Sequence, residues 1–148
     1  FWPNFKGRDG CRTPMPWNGG EGAGFSHGSP WLPIPAEHRQ RSVAIQQALP
    51  DSVLNRVRGF LRWRHAQPAL REGGIRFLDA PEPVLAFVRE HDGQRLLAVF
   101  NLSNEAVAWK ISSDLAVEAD NSHGLLSGRV EDGELRLPAR GVFFARTA

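Results

Sequence analysis

Cysteine occurs once, at position 11, in a chain of 148 residues. A lone Cys11 cannot close an internal disulfide, and no set of Cys and His residues has zinc-ligand spacing, so neither a metal nor another cofactor is expected. That usage fits a reducing compartment, and a cytoplasmic location is the expectation. No run of about 18 apolar residues occurs, so no membrane span is predicted. Charge of one sign is scarce: 18 Lys and Arg stand against 16 Asp and Glu, a net charge of +2. The basic clusters are Arg39 with Arg41, and the run Arg56, Arg58, Arg62, Arg64. That run recurs at helical spacing and reads as a solvated face, which argues against a nucleic-acid partner. No glycine loop joins a strand to a helix, so a phosphate cradle has no support. Repeats and low-complexity segments are lacking too, and no signal peptide is visible, an absence that carries no information in a chain that does not start with Met. The abrupt opening Phe1-Trp2-Pro3 reads as a position inside a longer protein.

What is present falls into three parts. Residues 1–50 are loop-like, interrupted by Gly7, Gly10, Gly19, Gly20, Gly22, Gly24 and Gly28. They also carry Trp2, Phe5, Trp17, Phe25 and Trp31, which a disordered linker would lack. A loop of this length is usually functional. A helix is predicted over 51–65, capped by Asp51 or Ser52, with Val53, Leu54, Val57, Phe60 and Leu61 on one apolar face. Trp63 falls at the edge of that stripe, and Pro68 ends the helix. A weaker helical stretch covers Gln40–Ala48. Residues 75–148 read as antiparallel β-structure. Asp92-Gly93 and Asp132-Gly133 mark two hairpins, and six to eight short strands predict a small β-sandwich.

The densest chemistry lies in Gly7-Arg8-Asp9-Gly10-Cys11-Arg12-Thr13-Pro14-Met15-Pro16-Trp17. An arginine presents a planar fork matched to carboxylates, and its charge is fixed. Asp9 could hold one arginine while the other faces a ligand. A tryptophan face suits the apolar C–H side of a sugar ring. The plainer alternative is an ion pair that ties a long loop down.

This stretch resembles the Arg-Asp-x-x-Arg-Thr-Pro-Met-x-Trp signature of the α-glucosidase and oligo-1,6-glucosidase branch of glycoside hydrolase family 13, the α-amylase family. Gly24-Phe25-Ser26, Trp31–Pro35, Ser52–Asn55, Pro68–Gly73 and the closing run Leu137–Arg146 resemble the same branch in the same order. The variants Gly10-Cys11 and Pro16 look like the proteobacterial α-glucosidases. The resemblance implies a mainly β chain: the last loop and helix of a (β/α)8 barrel over residues 1–72, then an antiparallel β-sandwich, domain C, over 73–148. It implies retaining hydrolysis of terminal α-glucosidic bonds in short oligosaccharides, with possible transfer of glucose. The catalytic carboxylates would lie on barrel strands four, five and seven, none of which this chain contains, so the chain alone is expected to be inactive. What carries over is an arginine that pairs with an aspartate from another loop and walls off the glucose pocket: Arg12 first, Arg8 second. Asp9 would support the other arginine. Trp17, Phe25 and Trp31 would shape the far side of the pocket or serve as loop core.

Two competing classes stand beside this reading. One is a non-catalytic sandwich that supports a partner or binds glucan, for which Phe77, Phe87, Phe100, Trp109, Phe143 and Phe144 are the available aromatics, most at inward positions. The other is a related glucosyl isomerase or transferase. His27, His38, His65, His91 and His123 read as surface or loop residues. Asp120 and Asn121 read as a turn, and Cys11 as a packing residue rather than a nucleophile.

Overall fold

A computed structural model describes residues 7–113, 115–125 and 127–148. The expectations placed on Trp2 and Phe5 lie outside them. The chain divides into two compact units, Phe1–Val57 and Arg58–Ala148.

The first unit is loop followed by α1 (Ala36–Gln40), α2 (Val43–Ala48) and the start of α3 (Val53–His65). The expected single stretch over Gln40–Ala48 is two helices. The N–H groups of Val43 and Ala44 are taken by the carbonyls of Pro16 (2.9 Å) and Trp17 (3.0 Å) instead of by a preceding helical turn. The opening motif thus caps α2 with its own backbone, which satisfies two of the donors a helix start leaves bare. Ser52 caps α3: its Oγ accepts the Asn55 N–H at 3.2 Å. The Asn55 amide then donates back to the carbonyls of Gln46 (3.0 Å), Gln47 (3.2 Å) and Leu49 (2.8 Å). One side chain therefore closes the end of α2 against the start of α3, and this explains Asn55 within Ser52–Asn55.

Burial in this unit is sparse. Among its described residues only Pro14, Ala23 and Ser42 are buried. Trp17, Phe25 and Trp31 are 51%, 57% and 83% exposed. Local turns and helix caps hold this unit, and its described residues form no apolar core of their own.

Among the described residues, the second unit holds the rest of α3, α4 (Pro68–Glu72) and eight strands: β1 (Gly74–Phe77), β2 (Val84–His91), β3 (Gln94–Asn101), β4 (Val107–Lys110), β5 (Val117–Ala119), β6 (Arg129–Glu131), β7 (Glu134–Leu137) and β8 (Val142–Thr147). They form a five-stranded sheet, β1-β2-β3-β8-β5, and a three-stranded sheet, β4-β7-β6, with every pair antiparallel. Both expected hairpins form. Asp92 and Gly93 adopt φ of 46° and 80°, and Asp132 and Gly133 adopt 51° and 77°. Positive φ at both central residues is what a two-residue turn needs to match the twist of its strands.

One core lies between the sheets. It contains Val84, Ala86, Val88, Leu97, Val99, Phe143 and Ala145 from the larger sheet, and Trp109, Ile111, Leu135 and Leu137 from or beside the smaller. A second cluster covers the other face of the larger sheet, where Trp63, Ala69 and Leu70 meet Leu96, Ala98 and Phe144. Strand β3 is thus covered on both faces, so Leu96-Leu97-Ala98-Val99 reads as a continuous apolar run without alternation.

Three details differ from the sequence reading. Pro68 opens α4 at its first turn, a position where the missing N–H costs nothing. Trp63, assigned to the stripe edge, is 7% exposed and sits in the second cluster, while Val53, Val57 and Leu61 are 72%, 47% and 54% exposed. The helix buries a different side from the one its aliphatic residues mark, because the aromatic ring finds a polar partner in the sandwich. Phe77 points outward, covering Phe87 edge-on at 5.9 Å.

Candidate functional site

The motif enters the described residues as Gly7 and Arg8 and makes one tight 3-10 turn over Asp9–Cys11. The Arg8 carbonyl accepts from both the Cys11 N–H (3.1 Å) and the Cys11 Sγ (3.0 Å), and the Asp9 carbonyl accepts from the Arg12 N–H (3.0 Å). Cys11 is therefore an exposed thiol bonded to backbone. The turn sends Arg8 and Arg12 out as exposed side chains on either side of a half-buried Asp9. Among the described residues no ion pair joins Asp9 to either arginine. The loop is tied by backbone hydrogen bonds, and both guanidinium groups stay available.

The loop then folds back on itself. The Ala23 carbonyl accepts from the N–H groups of Trp17 (2.8 Å) and Asn18 (3.1 Å). Gly22 is required there, since a Cβ at that position would lie 2.0 Å from the Ser26 carbonyl oxygen. This return brings Phe25 and the Ser29–Leu32 stretch to Arg12. Arg12, Pro14, Phe25, Ser26, Ser29, Pro30, Trp31 and Leu32 line an open cavity of about 290 Å³. Arg8 and Trp17 are not part of that lining. Chemically, the cavity offers one fixed cation, two aromatic faces and serine hydroxyls. A neighbouring polar cavity of about 410 Å³ is lined by Glu21, His27, Ser29 and Arg39, among others. On the solvated face of the three-stranded sheet, a groove of about 550 Å³ runs between Ala106, Ala108, Arg129 and Arg136. It has no aromatic platform.

The sandwich unit holds a polar cluster that the sequence reading missed. Asp120, assigned to a turn, is 8% exposed. Its carboxylate accepts from Trp63 Nε1 at 3.0 Å, from the Ser122 N–H at 2.9 Å, and from the Ser122 hydroxyl. Burial raises the Asp120 carboxyl pKa, but the Ser122 and Trp63 hydrogen bonds and the charge of Arg146 outweigh it, so the group stays below the ordinary carboxylate value. His123, expected as a surface or loop residue, lies in a turn but is 2% exposed among Phe60, Trp63 and Phe144. Burial pushes its pKa below the usual histidine value, against the pull of the Asp120 carbonyl and charge. The available signal was Trp63 itself: a buried indole N–H requires an acceptor.

Among the described residues no group of three or more His, Cys, Asp or Glu is placed to hold a metal ion, and no helix is long and apolar enough to cross a membrane.

Known proteins match both parts of the chain. The family described as alpha amylase, catalytic domain, matches residues 2–73, and the family described as maltogenic amylase, C-terminal domain, matches residues 75–130. A probable alpha-glucosidase of Rhizobium meliloti (strain 1021) is 45% identical over all 148 residues, which cover 26% of that protein. The oligo-1,6-glucosidase of Heyndrickxia coagulans is 33% identical over 128 residues, 86% of this chain and 22% of that one. Among solved structures, the alpha-glucosyl transfer enzyme XgtA superposes with a TM-score of 0.89 at 49% identity, covering 100% of this chain and 28% of that one. The isomaltulose synthase SmuA from Protaminobacter rubrum does so with a TM-score of 0.78 at 29% identity, covering 95% and 26%. The chain thus spans about a quarter of the length of the relatives it matches. With matches of this order on both sides of residue 74, and the barrel-end motif leading into an antiparallel sandwich, the chain belongs to the α-amylase family, glycoside hydrolase family 13.

Proposed function

We propose that this chain is the C-terminal part of an α-glucosidase that removes terminal glucose from short α-glucoside oligosaccharides with retention. Residues 1–72 complete the catalytic barrel, and residues 73–148 form the supporting sandwich. The observation that carries the reading is Arg12 beside Phe25 and Trp31 on one cavity wall, with no carboxylate partner among the described residues. A fixed cation there pairs with a carboxylate supplied by another barrel loop, and the aromatic faces take the apolar side of a sugar. Arg12 is the pocket arginine; Arg8, Asp9 and Trp17 shape and hold the motif. Support for the barrel assignment comes from the exposed aromatics of the loop and the exposed Val53, Val57 and Leu61 of α3, which await more protein than this chain contains. The division after Val57 falls earlier than the proposed boundary because the end of α3 and α4 pack on the larger sheet.

The test is hydrolysis of p-nitrophenyl α-glucoside by the intact protein that carries this chain. Arg12→Ala should lower kcat/KM about 100-fold or more, consistent with loss of roughly 3 kcal/mol from a charge pair left half-made. Arg8→Ala should cost less than tenfold. The chain alone should show no turnover. Equal losses for the two arginines, or turnover by the chain alone, would refute the assignment. A second reading, glucosyl transfer or sucrose isomerisation, is favoured by the likeness to XgtA and the isomaltulose synthases. Product analysis with maltose and with sucrose separates the two, since hydrolysis releases free glucose and transfer builds a new glucoside.

A further inference from the structure

Residues 120–125 form a turn held at both ends. The Asp120 N–H donates to the Phe144 carbonyl at 2.9 Å, and the Gly124 N–H donates to the Asn121 carbonyl at 3.0 Å, with Gly124 at φ of 71°. The Leu125 N–H donates to His123 Nδ1 at 2.9 Å. That bond requires a bare Nδ1, so the imidazole proton sits on Nε2. Nε2 is buried and has no hydrogen-bond partner among the described residues. The ring centroids of Phe144 and Trp63 lie 4.7 Å from that of the imidazole, and that of Phe60 lies 6.3 Å from it.

We infer that His123 is a pH-sensitive latch of the sandwich unit: its neutral imidazole closes the 120–125 turn onto α3 and β8, and proton uptake opens it. A second proton must enter at Nδ1. It would set N–H against the Leu125 N–H, donor facing donor, and place a full charge in a nearly sealed site. The backbone carbonyl and charge of Asp120 favour the imidazolium, but burial outweighs them. On its own turn, Asp120 has its oxygens committed to Trp63 and Ser122. On β8, Arg146 acts on Asp120. From α3, the rings that meet the imidazole are Phe60 and Trp63, and the charged or titratable side chains of that helix, Arg56, Arg58, Arg62, Arg64 and His65, include no carboxylate. Attraction of an imidazolium to the three rings offsets part of the cost, but it restores neither the Leu125 bond nor a partner for Nε2. The depressed pKa reported above agrees with this geometry. The latch does not depend on the activity proposed for the whole protein.

The test uses the full chain and two readouts taken from pH 7.5 to pH 4.5. NMR follows the His123 imidazole C–H shift, and hydrogen exchange follows the Leu125 amide and the Trp63 indole N–H. In the wild type, His123 should titrate below the ordinary histidine range. Leu125 and Trp63 should lose at least tenfold protection, after correction for intrinsic exchange, as it does. In His123→Phe, which keeps a ring and cannot titrate, protection of the Trp63 indole should not change across that range. If His123 titrates like a free histidine, or if Leu125 keeps its protection after His123 is charged, the latch does not exist. The wild-type titration decides the matter even if the variant fails to fold.

Discussion

Asp120→Ala should be among the most damaging single changes to a polar residue of the sandwich, and its cost can be worked from the contacts. The carboxylate has three donors. Ser122 is exposed, so its N–H and hydroxyl turn to water at little cost. Trp63 is 7% exposed, and its indole N–H would be left buried without an acceptor. An unsatisfied buried donor costs about 1–3 kcal/mol, and a bond to a charged acceptor lies at the upper end. Loss of about 2–3 kcal/mol follows, equivalent to a fall in Tm of about 10–20 °C for a unit of this size. Asp120→Asn keeps an acceptor oxygen and should cost about 1 kcal/mol. Trp63→Phe removes the donor itself. A double-mutant cycle of Trp63→Phe with Asp120→Ala should therefore show a coupling of about 1–2 kcal/mol. Thermal melts followed by circular dichroism at pH 7 measure all five proteins, wild type included. A loss below about 0.5 kcal/mol for Asp120→Ala, or strict additivity in the cycle, would refute the argument.

The pH dependence has a definite sign. The folded Asp120 pKa lies below its unfolded value, so its contribution is complete above the ordinary carboxylate pKa. It is lost as pH falls through the folded value. The folded His123 pKa is also depressed, so its contribution is complete above the ordinary histidine value near neutrality and is lost as pH falls toward the folded value. Stability of the sandwich should thus fall in two steps on acidification, the histidine step first, as pH-dependent melts of wild type and His123→Phe would show. Asn55→Ala should release the carbonyls of Gln46, Gln47 and Leu49. It should cost about 1 kcal/mol and speed limited proteolysis between α2 and α3. Leu135 is fully buried between the sheets, so Leu135→Ala should cost about 2–5 kcal/mol, whereas Val53→Ala, at 72% exposure, should leave the sandwich melt unchanged.

The elements legible in the sequence are those with local causes. Asp92-Gly93 and Asp132-Gly133 permit positive φ, and each turned its flanking strands into a hairpin. Ser52 capped α3 because a hydroxyl three residues before Asn55 is within reach of its N–H. The motif from Arg8 to Trp17 was legible as a unit of chemistry. The return at Gly22 that lines Arg12 up with Phe25 and Trp31, and leaves Arg8 aside, depends on a loop closing in space.

Strand β5 has no local signal, since it has three residues and pairs at a sheet edge, where β8 selects its register. Periodicity marked Val53, Leu54, Val57, Phe60 and Leu61 as the buried side of α3; Phe60 packs on the second cluster, but Trp63 is the residue that goes fully in, while Val53, Val57 and Leu61 stay exposed. An amphipathic pattern reports which face avoids water in the whole protein, and this chain covers only part of that face.

The sequence by itself determined the turns, the caps, the antiparallel β-class and the family, because each depends on neighbours within a few residues or on a contiguous motif. Only the tertiary structure decided that Trp63 and Asp120, 57 positions apart, share a hydrogen bond, and that His123 is sealed beside them. Such partners are chosen by which surfaces meet when α3 packs on the larger sheet, and no local spacing encodes that choice.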